Sequence, residues 1–172
     1  MFLTLHWIMK LADDSFNKQR FIRRLESLVN LMLAFPLVAF GYVLLEKEAS
    51  NELRSVIMEN PDWLFHGVMV TAVVYVLYRT VLGWGQQIRK FVEGENCLDT
   101  QLKMIKRPLL YRNFLWVLGA FVGVYGLYEK GDMFYALIFT IFLVLISANR
   151  PTGRYFATLL KLKKEERDWM IR

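Results

Sequence analysis

Apolar residues in this chain gather into four runs that are hydrophobic on every face, with the charged residues collected between them. A helix on the surface of a soluble domain shows apolar positions only every third or fourth residue, so these runs predict helices that meet hydrocarbon all round. The first run covers 27–45 and carries Pro36 in its middle, and the second covers 63–82, with His66 near its start and Arg79 near its end. The third covers 109–128 and the fourth 133–149, joined by Glu129, Lys130, Gly131 and Asp132. Crossing ~30 Å of hydrocarbon takes about 20 helical residues, so all four read as transmembrane helices, the last two drawing on flanking residues for length. The short polar connection between them suits a hairpin that crosses and returns.

The expected fold is an all-α integral membrane protein forming a single membrane domain over 1–172. A basic segment, 1–26, precedes the first span. A loop, 83–108, joins the second span to the third, and a basic tail, 150–172, follows the fourth. Both ends carry apolar and aromatic residues among the charges, Phe2, Leu5, Ile8 and Leu11 in one and Tyr155, Phe156, Leu159 and Trp169 in the other. That mixture predicts amphipathic helices at a membrane surface, or, for the tail, a helix docked on the middle loop.

Charge sets the orientation. Of 22 Lys and Arg residues, only Lys47, Arg54 and Lys130 fall on one side of the four runs, and all the others on the opposite side. Positively charged loops stay in the cytoplasm, which places both termini and the middle loop inside, with a prokaryotic cytoplasmic membrane as the expected home. The net charge of +6 is then topological. Nucleic-acid binding would need stacking aromatics among the basic residues, and most aromatics here sit in or beside the runs, so no nucleic-acid partner is expected.

A shift of 83 positions lays Ile22 on Ile105, Arg24 on Arg107, Asn30 on Asn113, Tyr42 on Tyr125, Glu46 on Glu129 and Lys47 on Lys130. This reads as two tandem helical hairpins. With two spans per unit the repeats are parallel, unlike the inverted repeats of many carriers.

The chain offers little catalytic chemistry. It has no Gly-rich phosphate loop, metal-binding His-Glu helix, nucleophile elbow or spaced carboxylate pair, and its single cysteine, Cys97, rules out an intrachain disulfide. His6 and His66 fall on opposite faces of the membrane and cannot share a metal, so neither metal nor cofactor is expected. Two sets of candidates remain. Gly119, Gly123 and Gly126, with Gly67 and the repeated Asn30 and Asn113, have the small or amide side chains that pack and pin helices in lipid. Arg79, Arg107, Arg150, Arg154 and Lys161 stand at the basic membrane edge, where they suit anionic lipid headgroups.

These features predict a non-catalytic membrane subunit that assembles, anchors or stabilises a complex with other integral membrane subunits or with itself. The alternatives are a protein that binds or acts on anionic membrane lipids, and a small-solute carrier or pore.

Overall fold

The computed structural model describes residues 18–53, 62–92 and 98–160, and shows α-helices as the only regular elements among them. In chain order these are α1 (Lys18–Ala49), α2 (Trp63–Val92), α3 (Leu98–Lys130), α4 (Met133–Ala148) and α5 (Gly153–Leu159). Three segments are long and apolar enough to cross a membrane: Gln19–Ala49, Trp63–Trp84 and Thr100–Lys130. The bent pair α4 and α5, which turn by 81° at their junction, supplies a fourth if counted as one span. The amphipathic N-terminal stretch, Cys97 and the tail beyond Leu160, Lys161 included, lie outside the described residues.

The expected loop 83–108 is mostly helix. α2 runs on to Val92 and α3 begins at Leu98, and α1 begins at Lys18, well ahead of position 27. Gln, Lys, Arg and Leu are strong helix formers, so a helix need not stop where its apolar run stops. A span therefore ends where charge begins, while the helix ends where capping or backbone geometry stops it. At about 1.5 Å per residue, α1 and α3 exceed ~30 Å of hydrocarbon. Pro36 and Pro108 both lie inside helices, each removing one backbone donor, as spans tolerate when neighbouring helices repack around them.

α3 is the hub, packing against α1, α2 and α4. Over its apolar window 56% is buried within the chain, against 22% for α1 and 17% for α2. α1 and α2 instead present Phe35, Val38, Tyr42, Leu45, Val74 and Tyr75 outward. An exposed apolar surface of that extent is unfavourable in water and suits hydrocarbon.

The tightest contact is α3 on α4, and the glycines make it. A Cβ on Gly119 would lie 2.3 Å from the Phe142 ring and one on Gly126 2.1 Å from the Tyr135 ring, while one on Gly123 would lie 2.9 Å from both the Phe139 nitrogen and the Tyr135 carbonyl oxygen. The small-residue face of α3 is thus filled by this chain's own α4. Gly67 has nothing within 4 Å of its Cβ position. The two repeated asparagines differ in surroundings: Asn30 is exposed, whereas Asn113 is fully buried and donates to its own helix at the Leu109 carbonyl, 2.9 Å away. They are not hydrogen-bonded to each other, whereas other pairs matched by the offset of 83 share their degree of burial: Ile22 and Ile105 are buried, Arg24, Arg107, Tyr42, Tyr125, Glu46 and Glu129 are exposed, and Lys47 and Lys130 are half-buried.

Two cores form. Val29, Leu33, Val43, Trp116, Val124, Phe139 and Phe142 fill the middle of the bundle. Ile22, Leu25, Leu102, Ile105, Leu109, Phe156 and Leu160 fill the basic end, where α5 tucks beneath α1 and α3. This described part of the tail is docked on protein, as its second sequence reading expects.

Candidate anion site at the basic end of the bundle

Arg112 lies within the first turn of the apolar run of α3 and is only 4% exposed. Its guanidinium carbon is 3.9 Å from the Trp84 ring centroid, 4.5 Å from that of Trp116 and 5.7 Å from that of Tyr155. Three elements converge to make this cage. Trp84 comes from the extension of α2 past its apolar run, and Trp116 stands one turn along α3 on the same face. Tyr155 is placed by the start of α5, where Thr152 caps the helix by accepting from the Tyr155 backbone N–H at 3.3 Å. Without the sharp turn at Pro151, Tyr155 would continue the line of α4 and miss Arg112.

The electrostatics are incomplete. Nη2 of Arg112 donates to the Tyr155 hydroxyl at 2.9 Å, but Nε is buried with no hydrogen-bond partner. The neighbouring Trp116 indole nitrogen is buried without a partner too. Among the described residues no carboxylate lies within ion-pair distance of Arg112. A guanidinium cannot shed its charge in a protein, and taking a cation out of water costs several kcal/mol. Cation–π contacts recover about 2 kcal/mol at a desolvated ring, and an anion at the unpartnered Nε would add a charge-assisted bond that the rings cannot supply.

Arg112 also lines a small, open cleft between α2 and α3, whose other walls include Arg79, Gly83, Trp84, Pro108 and Tyr111. Among the described residues no carboxylate lines it. Of the arginines expected at the membrane edge, Arg79 is brought to this cleft, whereas Arg107, Arg150 and Arg154 are exposed and do not line it. The residue at its centre, Arg112, reads in sequence as a boundary cation reaching for the interface. Its i, i+4 spacing to Trp116 signals a shared helix face, but nothing in the sequence brings Tyr155 of α5 to it.

A second polar cluster closes the opposite, acidic end. His66 of α2 is buried, its Nδ1 2.5 Å from the Tyr135 hydroxyl of α4 and its Nε2 3.8 Å from an Asp132 carboxylate oxygen. Asp132 occupies the N-cap position of α4 without a side-chain capping bond; its carboxylate turns to His66 instead. Gly131 makes the turn possible with φ +67°, its missing Cβ leaving room for the Glu52 carbonyl. Outside it, the Lys130 ammonium donates to Asp62 at 3.2 Å and holds that carboxyl below its usual value. Lys47 bonds Glu52 at 2.5 Å and stands over the Tyr128 ring. These bonds pin the α2 start and the α1 end to the α3–α4 turn. No group of three or more His, Cys, Asp or Glu that could hold a metal occurs among the described residues.

The chain matches no protein-family profile, no curated protein and no solved structure.

Proposed function

We propose that this chain is an integral membrane protein that holds an anionic lipid headgroup in the cleft between α2 and α3, at the cytoplasmic edge of the bilayer. The observation that carries the reading is the buried Arg112, caged by aromatic rings and lacking a carboxylate among the described residues. A lipid phosphate at the membrane edge supplies the missing charge, and guanidinium donors suit phosphate oxygens in both geometry and sign. The charge asymmetry supports the orientation, with the basic end and its cleft in the cytoplasm of a prokaryotic cell. Mass spectrometry of lipids retained through mild detergent purification tests this. Wild type is expected to keep anionic phospholipid and Arg112→Gln to lose it. Equal retention by both proteins would contradict the assignment.

Gly67 favours a second reading. It lies on the free outer face of α2 one turn from the exposed Thr71, a small-residue step of the kind that packs helices between membrane subunits or between two copies. Native mass measurement distinguishes the two: an assembly that Gly67→Leu dissociates supports it, and a monomer contradicts it.

A further inference from the structure

The cleft has a charge count that narrows its ligand. Among the described residues, Arg79 and Arg112 give two guanidinium groups in its wall and no Asp or Glu lines it. A phosphodiester headgroup brings one negative charge and leaves one arginine unmatched. A phosphomonoester brings about −1.5 to −2 at pH 7, with three terminal oxygens against the diester's two. The wall is also shaped for a compact group. Gly83 contributes no side chain, its Cβ position is free of neighbours within 4 Å, and Pro108 faces it without a backbone donor.

Resting on the headgroup reading above, we infer that the preferred ligand is a phosphomonoester, carried on a membrane lipid and held between Arg79 and Arg112. Arg112, desolvated and ring-caged, holds one oxygen edge. Arg79, exposed at the mouth, takes the second charge. The second proton of a phosphomonoester leaves near pH 6, so its charge, and with it the match to two guanidinium groups, falls below that value.

The test uses the delipidated full chain in neutral detergent, titrated by tryptophan fluorescence with short-chain phosphatidic acid, short-chain phosphatidylglycerol and glycerol phosphate. At pH 7.5 phosphatidic acid is expected to bind about tenfold more tightly than phosphatidylglycerol, the worth of one extra charged contact. The preference should shrink at pH 5. Arg79→Gln, a change at an exposed position, should level the two lipids while keeping both bound. Gly83→Leu should fill the cleft and weaken both, and its helix content and melting temperature report that it folds.

Equal affinities in wild type, both lost in Gly83→Leu, would overturn the phosphomonoester assignment and leave the headgroup reading standing. Glycerol phosphate binding as tightly as phosphatidic acid would overturn the lipid source. Absence of binding by either lipid would overturn both readings together.

Discussion

The guanidinium of Arg112 lies 3.9 Å over the indole ring of Trp84, joining α3 to the part of α2 that extends past its apolar run. This contact is one wall of the anion cleft and makes Trp84 a reporter of it. Arg112→Gln removes a desolvated charge together with its ring contacts and its bond to Tyr155, effects of opposite sign. The lipid-free variant should therefore unfold within about 2 kcal/mol of wild type. Anionic lipid at 100 times its Kd should stabilise wild type by about 2.7 kcal/mol and the variant hardly at all. Thermal unfolding in detergent with and without added lipid measures both.

At the acidic end, Tyr135→Phe keeps the ring against Gly126 but leaves His66 Nδ1 buried without its partner. The expected loss is about 1–3 kcal/mol, read by denaturant titration in mixed micelles. An unchanged midpoint would show that the hydrogen bond contributes nothing to joining α2 and α4.

The glycines divide into two classes that share a residue type and little else. Gly126→Ala drives a methyl into the Tyr135 ring and should cost about 1–3 kcal/mol. Gly67→Ala meets open space and should stay within about 0.5 kcal/mol of wild type, measured on the monomer by the same titration.

The Asp62–Lys130 pair carries a pH dependence with a defined sign. The Lys130 hydrogen bond, then the Phe65 backbone N–H, hold the Asp62 carboxyl below its usual 3.8. A carboxyl depressed in the folded state contributes stability that is present above its unfolded value and is lost as pH falls through the folded one. Asp62→Asn should therefore lower melting slightly at pH 6, and the difference from wild type should shrink as pH falls below 3.8. The effect is small, because the carboxylate is exposed and screened by solvent.

The helical class, the four apolar stretches and the turn at Gly131 are legible in the sequence because hydrocarbon demands uninterrupted apolar runs, and a polar Gly-containing stretch between two of them can only be a turn. Helix ends are less legible. Charge marks where a span stops, and the backbone continues through 83–92 and 98–108 because the Gln, Lys, Arg and Leu there favour helix strongly enough to carry Gly83 and Pro108. The site was half visible. Arg79 and the Gly119, Gly123, Gly126 face follow from local spacing. Which partner they meet depends on the 81° turn before α5 and on α4 closing over α3, and both are tertiary outcomes. Asp132 shows the same limit: in sequence it reads only as part of the polar connection, and the approach of α2 is what brings it to His66.

The most direct measurement is 13C–31P dipolar dephasing by solid-state NMR on protein labelled at arginine Cζ, in bilayers containing phosphatidic acid. Subtracting the Arg112→Gln spectrum isolates the Arg112 carbon, and the account predicts strong dephasing of that signal by a phosphorus nucleus in contact with the guanidinium. An Arg112 signal that phosphorus leaves undephased would contradict it.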